Sequence, residues 1–262
     1  MSAAGVVTAP ASIKSAARVL AIFELFDQER RPLKVGEIAA RLDLPQSSTS
    51  LLLRTLVGLG YIAADPVRRT YGPTARVGLL GSWCVGTPLR NGGITRLIEA
   101  LSRDTGQTVI LAGRNGIYAQ YFHVVQATLP LRMHVPAGTL RMLAWSTPGF
   151  VILQDATEAE IRSLVHRTNA ELGAAHKRLS AAGVLARIAG SRSAGYAFSR
   201  ALVTAGTGMI AVRLPGDAAG PKQPLAICVS GWVDAIARDE RLIVELIRAA
   251  IRTFIHPGQP DP

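Results

Sequence analysis

The chain is short of cysteine, of lysine and of long apolar runs, and each shortage closes a class of protein. Cys84 and Cys228 are the only thiols among 262 residues. A disulfide framework is therefore out of reach, and a reducing, cytosolic setting is expected. No apolar run approaches the roughly 18–20 residues that span a bilayer. The stretch from Met1 to Pro10 has neither a basic start nor an apolar core, so no membrane segment and no signal peptide are expected. Only four of the 29 basic residues are lysine. A net charge of +11 suits a polyanionic partner, but arginine in an Ala/Gly-rich chain also follows from coding bias, so charge alone does not require one.

Chemical signatures are missing too. His123, His134, His166, His176 and His256 show no HxxxH spacing and no CxxC accompanies them, so no metal is expected. There is no Walker loop, and Gly190–Gly195 lacks the spacing of a GxSxG elbow. Asp239-Glu240 and Glu158 with Glu160 read as solvated helix faces. Gly206-Thr207-Gly208-Met209-Ile210-Ala211 matches GxGxxA, which needs a following helix to seat a pyrophosphate. Arg213-Leu214-Pro215-Gly216 closes the segment too soon, so a turn entering a strand is expected. No catalytic residue and no cofactor are assigned. A nucleotide-dependent α/β enzyme stands as the alternative reading, carried by that motif alone.

What is present is a chain 48% apolar and 18% charged, globular and long enough for two domains. Residues 1–11 and 257–262 read as tails, 12–73 as one compact domain, 74–104 as a helical connector and 105–256 as a second domain. In the first, Ser12 is placed to cap a helix whose Val19, Ile22, Phe23 and Phe26 share a face. A second helix follows, with Val35, Ile38, Ala39 and Leu42 at the same spacing behind a poor cap, Lys34. After a turn at Asp43-Leu44-Pro45, a third turns Thr49, Leu52, Leu53 and Leu56 inward and stops at Gly60. Tyr61–Ala64 and Arg69–Tyr71 then flank Asp65–Arg68 as strand, turn and strand. Three helices and a hairpin make a winged helix-turn-helix.

Inward leucines on the third helix turn Ser47, Ser50, Leu51 and Arg54 outward. Short hydroxyls let such a helix enter a major groove closely, and Arg54 can reach a phosphate or a guanine edge. Ser47 and Ser48 sit at the helix N-terminus, where free amides favour phosphate, Gln46 precedes them, and Arg68 and Arg69 stand at the wing tip. These eight residues are the expected contacts to double-stranded DNA.

Ser12–Ser15 with Arg18–Leu20, Glu37–Ala39, Leu44–Thr49, Leu56 with Gly60–Ile62, and Tyr71–Pro73 resemble the DNA-binding half of IclR-family transcriptional regulators. Gly195–Ser199, Met209–Val212 and Ala226–Gly231 resemble that family's effector-binding half, so the likeness runs from about residue 12 to 256. It departs at Leu51, where the family usually has an Arg, at Gln46, usually basic, and at Lys34, usually a Ser or Thr cap. At Leu51, packing against a thymine methyl is the available substitute.

In the second half, Val109–Ala112 and Ile117–Phe122 read as strands around an Asn115-Gly116 turn. Thr157 starts one helix, 173–190 forms another, three strands lie near 195–199, 209–214 and 225–231, and a helix spans 239–255. The expectation is an α+β sensor domain. The resemblance implies that it is GAF-like and binds a small organic molecule. Strand alternation puts Met209, Ala211 and Arg213 on one face. An arginine there suits a carboxylate ligand such as an aromatic or other organic acid, although snorkelling to water or pairing with a nearby acid explains it equally. The resemblance further implies that Ser199, Arg213, Cys228 and Ser230 lie near the effector and that Ser146 and Thr147 face them. The expected assembly is a homodimer on a two-fold operator, with a dimer of dimers and the choice between repressor and activator left open. Leu97, Ile98 and Leu101 of the connector are either subunit contacts or intrachain packing.

Overall fold

The structure is a computed structural model that describes residues 13–80, 91–128, 134–172, 178–216 and 224–255. Ser12, Cys84, His176 and His256, both expected tails and residues 81–90 of the expected connector lie outside them. The chain parts into two compact units at residues 84 and 85.

In the N-terminal unit, α1 (Lys14–Glu29) buries Ile22, Leu25 and Phe26. Its N-cap is Ile13, which supplies no side-chain hydrogen bond, and it ends where Arg30 turns left-handed. β1 (Leu33–Lys34) was not expected; its buried Leu33 pairs with Tyr71. α2 (Val35–Arg41) starts without a hydroxyl cap. Instead the Glu37 carboxylate accepts the Lys34 N–H at 2.8 Å, which is the return half of a capping box. Leu42–Pro45 then turn the chain, with Asp43 at φ 51, into α3 (Gln46–Gly58), which buries Thr49, Leu53 and Leu56. Gly60, at φ 78, takes the left-handed position past the helix end that other residues avoid.

β2 (Ile62–Asp65) and β3 (Thr70–Pro73) form the hairpin, and β1 joins it to give the order β1-β3-β2. Arg69 belongs to the turn rather than the strand, at φ 52. The Asp65 carboxylate shapes that turn by accepting the N–H groups of Val67 at 2.9 Å and Arg68 at 3.0 Å. A short helix, α4 (Ala75–Leu80), follows. The core of this unit is Ile22, Leu25, Phe26, Leu33, Ile38, Leu53, Leu56 and Ile62.

The C-terminal unit is one antiparallel sheet with helices on both faces. β4 (Thr108–Asn115), β5 (Tyr118–Val125), β6 (Leu140–Met142), β7 (Ala197–Arg200), β8 (Thr207–Arg213) and β9 (Leu225–Trp232) lie in the order β6-β5-β4-β9-β8-β7. On one face, α5 (Gly93–Thr105), α9 (Val233–Arg238) and α10 (Glu240–Phe254) pack on Val109, Ile210, Ile227 and Val229. On the other, α6 (Thr147–Ile152), α7 (Glu158–Leu172) and α8 (Ala181–Ala194) pack on Ile110, Ala112, Ala211 and Cys228. Thr157 and Glu160 cap α7 reciprocally, the Thr157 N–H donating at 2.7 Å and its hydroxyl accepting from the Glu160 N–H at 3.3 Å.

One open alternative is resolved, one helix shifts and three elements are added. Leu97, Ile98 and Leu101 are buried in this unit's own core, so of the two readings offered for them intrachain packing is the one observed, and α5 packs with the sheet. The helix expected over 173–190 runs later, as α8, with residues 173–177 outside the described set. β6, α6 and α9 had no clear signal. The GxGxxA segment is a left-handed turn at Gly206, φ 75, leading into β8, as read from the sequence. Gly208 is needed for packing: a Cβ there would come within 2.9 Å of Ile236 on α9.

Candidate nucleic-acid interface and ligand face

α3 presents two unlike sides. Leu53 and Leu56 are buried, while Gln46, Ser47, Leu51 and Arg54 are exposed and Ser48 and Ser50 half-buried. One outward row therefore carries Ser47, Ser50, Leu51 and Arg54 at the spacing of a single helix face. No acidic residue lies on α3. Four of this unit's six carboxylates are engaged away from α3. Glu29 and Glu37 share Arg31 at 3.3 and 2.9 Å, Glu29 also meets Arg41 at 3.0 Å, and Asp27 meets Arg30 at 2.9 Å. Two backbone N–H groups occupy Asp65. The Lys34 N–H, followed by Arg31, holds the Glu37 carboxyl below its ordinary pKa. Among the described residues, Arg54, Arg68 and Arg69 are exposed and in no ion pair. The unit thus pairs Asp27, Glu29 and Glu37 on α1 and α2 and leaves three arginines open on the third helix and the hairpin tip.

The second set of expected residues lies on the sheet face covered by α6, α7 and α8. Ser199 on β7, Met209 on β8, Ser230 on β9 and Thr108 on β4 form one cross-strand row. Cys228 sits in the next row, opposite Ala211 and Ile110. Thr147 reaches the first row from α6, its hydroxyl 2.5 Å from that of Ser199. Ser146 caps α6 by accepting the Gly149 N–H at 3.2 Å, and the Ser230 hydroxyl donates to the Gly208 carbonyl at 3.1 Å. Five of the six expected ligand residues are therefore gathered here, all buried and with their hydroxyls already bonded within the chain.

Arg213 is four residues along β8 from Met209, about 13 Å at strand rise. It is ion-paired with Asp155, just beyond α6; the arginine side chain is 22% exposed and the aspartate 76%. Arg213, by hydrogen bond and charge, lowers the Asp155 pKa, and Arg192 adds to the effect. Burial pushes the Cys228 thiol upward and the Tyr121 phenol to about 12, so the interior beside this face is neutral and unwelcoming to an unpaired charge. Nothing in the residue pattern marks Asp155 as the partner, nor Arg187, whose guanidinium stacks on Trp145 at 5.1 Å and Phe150 at 5.6 Å. Each lies more than thirty residues from what it meets, beyond any local spacing rule. Among the described residues, no three His, Cys, Asp or Glu side chains gather as metal ligands, and no helix is long and apolar enough to cross a membrane.

These two constellations sit in segments with known counterparts. Residues 15–66 match the IclR helix-turn-helix domain, and residues 93–254, more than half of the chain, match the C-terminal domain of bacterial transcriptional regulators of the IclR type. The chain belongs to the IclR family. The regulator XynR of Escherichia coli K12 is 29% identical to this IclR-family chain over 189 residues, 71% of it and 73% of XynR. The Pca regulon regulatory protein of Pseudomonas putida is 25% identical over 254 residues, 94% of this chain and 84% of that protein. The effector domain of an IclR regulator from Acinetobacter sp. ADP1 superposes with a TM-score of 0.59 and 26% identity, covering 64% of this chain and 96% of that domain. An IclR-type regulator from Alicyclobacillus acidocaldarius shares the fold across 93% of this chain and 98% of its own, at a TM-score of 0.57 and 18% identity. The IclR-family chain is a transcriptional regulator with a helix-turn-helix DNA-binding domain, and the enzyme alternative falls: the proteins it matches are regulators.

Proposed function

We propose that this IclR-family regulator binds two-fold operator DNA as a homodimer, through Gln46, Ser47, Ser48, Ser50, Leu51 and Arg54 of α3 and Arg68 and Arg69 of the wing. A small organic acid held near Ser146, Thr147, Ser199, Cys228 and Ser230 controls that binding. The observation that carries the first half is the outward row of α3, free of acids, beside three arginines without a carboxylate partner. Arginines left open in this way favour phosphate, and each contact releases counterions. Binding of the full chain to duplex DNA from upstream of its own gene, followed by fluorescence anisotropy as sodium chloride rises, tests it. The association constant should fall linearly in log–log form; a flat response sinks the reading.

The ligand half rests on the gathered hydroxyls and on Arg213, whose anion is at present Asp155. A carboxylate ligand that uses Arg213 must exchange with that aspartate, while the hydroxyl row orients the rest of the molecule. If ligand and DNA are coupled, each changes the other's affinity by the same factor. Benzoate and 4-hydroxybenzoate are suitable first probes. A thermal shift with either, matched by an equal change in operator affinity, supports control. A thermal shift that leaves operator affinity unaltered at fixed salt refutes it.

A further inference from the structure

α3 carries a large apolar side chain at the middle of its outward row. Leu51 is 60% exposed, while Leu52, Leu53 and Leu56 all pack in the unit's core. Leu51 is therefore no surplus core residue; the fold leaves it in water by placement. One turn later the exposed Thr55 donates its hydroxyl to the Leu51 carbonyl at 3.0 Å, so its polar hydrogen is used within the helix and its methyl is what it offers outward. The result is an apolar spot of Leu51 and Thr55 set between the hydroxyls of Ser47 and Ser50 and the guanidinium of Arg54.

An apolar centre with a cationic margin fits one surface well. In the major groove the phosphates line the edges, and the thymine C5 methyl is the single apolar group that a base pair presents there. A second copy of this chain, at +11, would bring like charge against Arg54, Arg68 and Arg69. We propose that Leu51 reads a thymine methyl, so that each operator half-site carries a T·A pair opposite it. This rests on the DNA-binding reading above and deepens it from duplex DNA to a base identity.

The test uses full-length protein and a duplex that it selects from a randomised pool. Each thymine of that duplex is replaced in turn by deoxyuridine, which removes the methyl and nothing else. One position per half-site should weaken binding about fourfold, the worth of one buried methyl-sized group, with the other positions unmoved. Leu51→Ala should weaken binding to the parent duplex and abolish the deoxyuridine response at that position. The salt slope should stay as it was, because no phosphate contact is lost, and the melting temperature should hold, because the side chain is exposed. The proposal is overturned if no thymine responds, if Leu51→Ala retains the response, or if Leu51→Ala alters the sedimenting mass while deoxyuridine remains silent. Failure of the parent protein to select any duplex in a salt-dependent way overturns the DNA-binding reading itself, and is told apart by that.

Discussion

The winged-helix unit and the sheet unit dispose of their polar side chains in opposite ways. On α3 and the hairpin tip, Ser47, Arg54, Arg68 and Arg69 stand exposed, while Glu29 and Glu37 of α1 and α2 are tied to other arginines. On the proposed ligand face, Thr147 and Ser199 bond each other, Ser230 bonds Gly208 and Arg213 holds Asp155. A surface that meets a hydrated polyanion gains from being open, since its charges lose little by staying in water until the duplex arrives. A small molecule taken up as proposed would instead enter a layer whose hydrogen bonds are already made, so its binding would be an exchange in which chain partners give way to ligand atoms.

Four measurements bear on that contrast. The largest effect is expected from replacing Arg54, Arg68 and Arg69 together by alanine. Operator affinity near physiological salt should fall on the order of a hundredfold and the salt slope should flatten by about three contacts, with the melting temperature nearly unchanged. A large loss of stability would show that these arginines are not open. Next, Thr147→Val leaves the buried Ser199 hydroxyl without its partner, and urea unfolding should register about 1–3 kcal/mol. Adding Ser199→Ala should recover part of that cost; strict additivity would mean that the two hydroxyls do not depend on each other.

The third concerns Cys228. Burial raises its folded-state pKa above the ordinary 9.0, so above that pH the unfolded chain is the better acid. Stability is full below about pH 9 and declines as pH rises, at most about 1.4 kcal/mol per unit. Unfolding midpoints between pH 8 and 10 should show this slope in the parent and a shallower one in Cys228→Ala. The smallest effect belongs to Asp155→Asn. The aspartate is largely exposed, so stability should move by less than about 1 kcal/mol. Its removal frees Arg213, and the thermal shift with benzoate should grow; a benzoate response that disappears in this variant would detach Arg213 from the ligand.

The same contrast governs what could be read in advance. Helices α1 to α3 were legible because Ile22, Phe26, Ile38, Leu53 and Leu56 recur at helical spacing, and the outward row of α3 follows from the inward one. The third wing strand escaped notice because two residues, Leu33 and Lys34, carry no period. Five of the six sheet strands were legible from alternation and turns, all but β6, and the Met209, Ala211, Arg213 face is as expected, Met209 and Ala211 lying on the side of α6 to α8. The short α6 and α9 were not, since six residues show less than two turns. Partners joined across the fold, such as Arg213 with Asp155 or Arg187 with Trp145, leave no local pattern; only proximity in three dimensions reveals them. The gathering of Ser146, Thr147, Ser199, Cys228 and Ser230 was foreseen through family likeness, not through spacing.

β9 runs through the middle of the sheet, and its residues from Leu225 to Ser230 are all buried. Its odd and even positions serve different neighbours: Cys228 and Ser230 look toward α6 and Thr147, whereas Ile227 and Val229 rest among residues of α5 and α10. A pleated backbone has no slack by which one side could shift alone. A molecule bound on the hydroxyl side would press on the same ribbon whose other side seats α5, the helix that follows the segment leading out of the winged-helix unit. In this layer the hydroxyl-bearing face and the face that seats α5 share a single strand.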